Sequence, residues 1–249
     1  MNLSVMQLQT RGGQAPFYFR HDSVGDNGAI QQIFHNRDYD ASAWEQGRRL
    51  WEYHRQQIKA RPSLIVDAGA NIGAAAVYFL EAFDNAFVYA VEPEENNFQI
   101  LEMNTRRYKN KIAFNGAIAS SDGEVGLDDP GLSDWGFRTR PMAQGSKKVV
   151  KSISPATILS DPRVAGLTPL IFKIDIEGAE SDLFSGETSW MGRFPLIIIE
   201  LHDWLLPFSG SSRSFFSAIV KHDFDFLHRG ENIFLFSRPI LDGNAAGTG

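Results

Sequence analysis

The residues best placed to do chemistry in this 249-residue chain are acids standing directly behind apolar runs. Asp67 follows Leu64-Ile65-Val66, and Glu92 follows Ala86 to Val91. Asp175 and Glu177 follow Leu170 to Ile174, while Glu200, His202 and Asp203 follow Leu196 to Ile199. A fifth run, Ile112-Ala113-Phe114, leads into Asn115, Gly116 and Ala117. Short apolar runs of this kind read as buried strands, so these groups gather at strand ends. Carboxylates there can accept hydrogen bonds from a ribose diol, attract a cationic ligand, hold a divalent metal or take a proton from a hydroxyl.

The first acid opens a tight loop. Val66-Asp67-Ala68-Gly69-Ala70-Asn71-Ile72-Gly73 runs straight into Ala74 to Leu80, which reads as a strand, a small-residue turn and a helix N-terminus. A dinucleotide-binding turn has G-x-G-x-x-G, with backbone N–H groups facing a pyrophosphate. Here Asp67 stands where that fingerprint has its first glycine. It would repel a pyrophosphate and attract an ammonium or sulfonium. Gly69 and Gly73 fall where the backbone must turn sharply or approach a ligand closely. Glu92 comes about 25 residues after Asp67, close to the spacing of a ribose-binding acid.

Asp175 and Glu177 are two residues apart, as are Glu200 and His202, so continued strand geometry would point each pair to one side. Two uses remain open for that cluster. It could hold a divalent metal through oxygen and imidazole ligands. It could instead take a proton from a substrate hydroxyl, with His202 as a base whose ordinary pKa is near neutrality. Lys173, a charge inside a strand, is predicted to pair with a strand-end acid in a structural role. Trp135, Arg138 and Arg140 lie in a loop-like stretch from Asp128 to Ser146 and are candidates to contact an anionic or sugar-like substrate.

The elements that must position these groups alternate. Strands are predicted at Ser63 to Asp67, Ala86 to Val91 and Ile112 to Ala119, with helices over Gly73 to Phe83 and Glu94 to Tyr108. A short strand follows near Glu124 to Leu127, then an edge strand over Lys147 to Ile153 and a short helix over Pro155 to Leu159. Further strands are predicted at Leu170 to Asp175 and Leu196 to Leu201, with short helices at Ala179 to Phe184 and Ser211 to His222. A hairpin spans Phe224 to Phe236. Before this core, Asp22 to Gly28 reads as a turn, Phe17 to Phe19 as a short strand and Trp44 to Ile58 as a helix. Alternating strands and helices make an open, mostly parallel sheet with helices on both faces. The expected organisation is an N-terminal extension, 1–60, packing on a domain of 61–240, with a disordered tail, 241–249.

Composition narrows the classes. There is no cysteine, which excludes a disulfide scaffold, a thiolate zinc site and a cysteine nucleophile. A net charge of −6 argues against a general nucleic-acid partner. No basic segment precedes an apolar one at the N-terminus, and no apolar run reaches membrane-spanning length. A soluble cytoplasmic protein, compatible with a homo-oligomer and without a membrane partner, is expected.

Four stretches in order, Val66 to Gly73, Val91-Glu92-Pro93, Lys173 to Glu180 and Ile199 to His202, together resemble the FkbM-type methyltransferases, over about Ser63 to Leu201. The resemblance implies a Rossmann-like class I methyltransferase fold, an α/β architecture with a mostly parallel seven-stranded sheet whose last strand is antiparallel. It implies S-adenosylmethionine as cofactor and O-methylation of a sugar, glycan or natural-product hydroxyl. By position, Asp67, Gly69, Ala70, Asn71 and Gly73 would surround the methionine part of the cofactor, and Glu92 would bind the ribose. Asn115 and Ala117 would lie near the adenine. Asp175 and Glu177 would face the methyl-transfer site, Asp175 also contacting the cofactor, with His202 a further catalytic candidate. The rival readings are a nicotinamide-dependent oxidoreductase and a catalytically silent cofactor-binding subunit.

Overall fold

The computed structural model describes residues 2–128, 138–140, 148–205 and 207–242, with the backbone alone for 128 and 138–140. The chain opens with a hairpin of β1 (Ser4–Thr10) and β2 (Gly13–Phe19). Next come α1 (Val24–Ile30), which runs into a π-helical turn at Gln31–His35, and α2 (Glu45–Gln57). The expected turn at 22–28 is therefore a helix. Ser23 caps it by accepting from the Asp26 N–H at 3.0 Å, and buried Asp26 is gripped by the Arg20 guanidinium at 2.6 Å. A cap and a buried ion pair here outweigh the poor helix propensity of Gly25 and Gly28.

The core alternates as expected: β3 (Ser63–Ala68), α3 (Ala74–Ala82), β4 (Ala86–Glu92), α4 (Glu95–Thr105) and β5 (Lys111–Asn115). Later come β6 (Ala117–Ile118), β7 (Gly123–Asp128), β8 (Arg138–Arg140), β9 (Lys148–Ile153) and α5 (Pro155–Ser160). The C-terminal part holds β10 (Thr168–Ile174), α6 (Glu180–Leu183), a 3-10 turn at Ser189–Arg193 and β11 (Leu196–Glu200). It ends with α7 (Arg213–Ile219), β12 (Phe224–Arg229), β13 (Asn232–Ser237) and α8 (Arg238–Leu241).

Seven strands form the central sheet in the order β5-β4-β3-β10-β11-β13-β12. From β5 through β11 neighbours are parallel, and β13 is antiparallel to both its neighbours. This is the expected α/β arrangement of a class I methyltransferase. Side chains alternate between two buried layers. Ile65, Leu196 and Ile198 enter one layer with α2 and α3, and Leu64, Val66, Ile197 and Ile199 enter the other with Phe184 and Trp190. Each fully buried aliphatic side chain contributes about 1.5–3 kcal/mol, so both faces hold the strand ends in place.

Two strand expectations need correction. The third strand ends at Asn115; Ala117 and Ile118 leave it and pair with β9 in a separate four-stranded sheet, β6-β9-β7-β8. In that sheet β9 is interior, between β6 and β7, rather than an edge. Alternation shows which side chains share a face but says nothing of how many neighbours a strand has. Of the expected tail, Leu241 and Asp242 belong to the folded end, and 243–249 lie outside the described residues. Trp135 also lies outside them. Among the described residues no helix is long and apolar enough to cross a membrane.

Candidate active site

The sheet order reverses between β3 and β10, and in open α/β sheets ligands bind outside the strand carboxyl ends at such a switch. There a cleft of about 290 Å³ opens, lined by the β3 loop, α1, Lys173, Asp175, Glu177, Glu200 and Trp204. That volume is at the lower end of the range for small-molecule sites.

The loop is fitted to its neighbours at two glycines. Gly69 has φ +77°, and a Cβ there would lie 1.7 Å from the Asp175 carbonyl oxygen. Gly73 has φ +86° and precedes α3; a Cβ there would lie 2.7 Å from Leu101 Cδ1. Between them Asn71, at φ 49°, donates its N–H to Glu92 Oε2 at 2.8 Å. Its side-chain oxygen is buried with no hydrogen-bond donor. Gly69, Ala70 and Asn71 of this loop line the cleft.

Asp67 does not line the cleft. It is fully buried and faces Lys173, whose Nζ is 3.2 Å from Asp67 Oδ1 and 2.6 Å from the Gly69 carbonyl oxygen. Burial disfavours the Lys173 cation, but Asp67, Tyr39 and Asp175 together hold its pKa above the ordinary lysine value. Lys173 has the structural partner expected of it, and through Gly69 it ties β10 to the loop.

Glu92 is also buried, its second oxygen accepting from the Glu94 N–H at 2.9 Å. Burial pushes its carboxyl up to about 7 against the pull of these two backbone donors. Asn115 donates to Glu95 at 2.9 Å, and Ala117 is buried in β6. Glu92, Asn115 and Ala117 stand outside the cleft lining; Glu92 reaches it through Asn71.

The second group of acids closes around His202. Its Nε2 is 3.4 Å from Glu177, 3.5 Å from Glu200 and 3.6 Å from Asp175. Its Nδ1 is 2.8 Å from Glu180 Oε1. Strand alternation does not produce this convergence. β10 ends at Ile174, and Glu177 itself is in the left-handed conformation, φ 54°. The near-neutral titration expected of His202 does not hold either. Burial opposes its charge, but hydrogen bonds to Glu180 and Glu200 and the Asp175 charge lift it to about 11. Burial and Asp175 push Glu177 up to about 7.

Sequence reasoning missed Glu180, Tyr39, Trp204 and Glu231. Glu180 lies in the quoted run from Lys173 but reads as an ordinary helix acid. The cleft positions of Tyr39, Trp204 and Glu231 have no local signal.

The chain is similar to several known proteins. Hexuronic acid methyltransferase AglP of Haloferax volcanii is 26% identical over 137 residues, which are 55% of this chain and 54% of that protein. The match therefore spans about half the length of that relative. The solved methyltransferase FkbM of Methylobacillus flagellatus aligns at 16% identity and TM-score 0.46, over 86% of this chain and 59% of that one. Human methyltransferase-like protein 13, solved with S-adenosylhomocysteine, aligns at 12% identity and TM-score 0.41, over 80% and 81% of the two chains. The methyltransferase FkbM domain model matches residues 67–229, from the last turn of β3 through the loop, the acids around His202 and β12. The chain belongs to the FkbM methyltransferase domain family.

Proposed function

We propose that this protein is an S-adenosylmethionine-dependent O-methyltransferase acting on a hydroxyl of a sugar, glycan or related small molecule. The observation that carries the reading is the charge of the cleft. Asp175, Glu177, Glu200 and Glu231 line it, while Lys173, the cation among the lining residues, is held by Asp67. Such a lining favours a cationic sulfonium and ammonium over a pyrophosphate. The loop fits the same ligand, since Gly69 and Ala70 offer close backbone and Asn71 a buried acceptor without a donor. In this reading Asp67 sets the loop from behind through Lys173, and Gly73 lets α3 start beneath the ligand. Glu92 takes the ribose hydroxyls, and Asn115 and Ala117 flank the adenine.

A bound sulfonium cofactor supplies an activated methyl group, so the chain mainly has to align the acceptor oxygen with it. Asp175 and Glu177 sit where that oxygen would enter and can accept its hydrogen bond. Trp204 is 58% exposed at the mouth of the cleft, a broad apolar face against which a sugar ring can lie. The AglP relative acts on a hexuronic acid by name, so hexoses and hexuronates lead the acceptor list.

The test is methyl transfer from labelled S-adenosylmethionine to a panel of hexoses, hexuronates and glycans. Asp175→Asn is expected to lower turnover about 100-fold, the scale of a lost proton-accepting group, with S-adenosylhomocysteine affinity nearly unchanged. An equal loss in both would move Asp175 to cofactor binding. No transfer from wild-type protein to any hydroxyl acceptor, despite cofactor binding, would count against the reading.

A further inference from the structure

We propose that Asp175, Glu200 and His202 form a divalent cation site in the wall of the cleft. One potential ligand atom from each of the three lies within 4.8 Å of the others. The distances from His202 Nε2 to Glu200 and Asp175, 3.5 and 3.6 Å, exceed those of strong charge-assisted hydrogen bonds. They match the edges of a coordination shell. Donors about 2.0–2.2 Å from a tetrahedral ion are about 3.3–3.6 Å apart.

An independent feature lies behind the cluster. The His202 side chain is 1% exposed, and its Nδ1 is held by Glu180, itself 1% exposed. That contact holds a proton on Nδ1 and turns Nε2 toward the carboxylates, where a bound ion would take the place of the Nε2 proton. A histidine oriented by a buried carboxylate behind it is the usual support of a metal-binding imidazole. On the opposite side, Glu177 Oε2 is buried and accepts no hydrogen bond. Asp175, Glu177, Glu180 and Glu200 face one imidazole, and Lys173, 3.6 Å from Asp175, is closer to Asp67 and Gly69.

Two carboxylates and one imidazole, with water completing the shell, suit Mn²⁺ or Zn²⁺. Asp175, Glu177 and Glu200 line the cleft, so a bound ion would face the acceptor. The ion's role, polarising the acceptor hydroxyl, rests on the methyl-transfer reading; the binding site does not.

The experiment is a Mn²⁺ titration of the chelator-stripped full chain without cofactor, read by the electron paramagnetic resonance signal of free Mn²⁺. Expected is about one ion per chain with Kd below about 100 μM. Glu200→Gln and His202→Gln are each expected to weaken binding at least about tenfold, and Glu180→Gln about 10–100-fold. Circular dichroism and thermal unfolding check that each variant is folded. Wild-type protein that takes up no Mn²⁺ at about 1 mM, or folded Glu200→Gln and His202→Gln variants that bind it as wild type does, would overturn the site. S-adenosylhomocysteine binding without Mn²⁺ binding would remove the ion and leave the methyltransferase reading standing.

Discussion

Replacing Lys173 with methionine is expected to lower folding stability by about 3–5 kcal/mol at pH 8. The substitution keeps the apolar stem of a side chain that is 3% exposed but leaves Asp67, at 0% exposure, without its cation. It also removes the donor at 2.6 Å from the Gly69 carbonyl oxygen, so the loop loses its tie to β10. With Lys173 gone, burial and the Asp175 charge both push the Asp67 carboxyl up. A carboxyl with a raised folded pKa binds more protons folded than unfolded between its two pKa values, so stability falls as pH rises through that window. The variant is therefore expected to be less impaired at pH 5 than at pH 8. Lys173→Met combined with Asp67→Asn is expected to recover more than half of the loss, because the unpaired charge is then gone. Urea unfolding of the three proteins at both pH values measures this. A single-variant loss below about 1 kcal/mol would mean that Asp67 is relieved by water, since a solvated ion pair is worth little.

Glu92→Ala is expected to weaken S-adenosylhomocysteine binding by about 1.5–3 kcal/mol, or roughly 10–150-fold. Each Glu92 oxygen accepts one backbone N–H, from Asn71 and Glu94. The Asn97 side chain also hydrogen-bonds this carboxylate, which leaves it an acceptor lone pair for a ribose hydroxyl. Removing the carboxylate takes away that acceptor and also frees the Asn71 N–H, loosening the loop on its cofactor side. The carboxyl is pushed up to about 7 by burial, and the ionised form is the better acceptor. Wild-type affinity is therefore expected to rise several-fold from pH 6 to pH 8, and Glu92→Gln to flatten that rise. Calorimetric titration reads both effects. Affinity of Glu92→Ala equal to wild type would end the ribose assignment.

Much of this arrangement is legible in the sequence because its determinants are local. Leu64-Ile65-Val66 followed by Asp67, Gly69 and Gly73 can hardly be anything but a strand, a sharp turn and a helix start. The apolar runs before Glu92, Asp175 and Glu200 announce their strands in the same way. What escapes the sequence depends on which elements meet. Glu180 is just an acid opening a short helix until β11 delivers His202 to it. Ala117 continues an apolar run, and only its pairing with Ser152 in β9 shows that the chain has left the main sheet. The helix at Val24 was masked by two glycines, although Ser23 three residues before Asp26 is a capping signal. His202 shows the limit most clearly. Its ordinary pKa suggests a base, and three acids, Asp175 after β10, Glu180 in α6 and Glu200 at the end of β11, reverse that.

The central claim is that the cleft takes a sulfonium cofactor. Its most direct test is calorimetric titration of the purified, metal-free protein with S-adenosylhomocysteine, and separately with NAD. Saturable binding of S-adenosylhomocysteine without binding of NAD is the expected result. Binding of NAD alone would contradict the account, because it would require the loop behind Asp67 to accept a pyrophosphate.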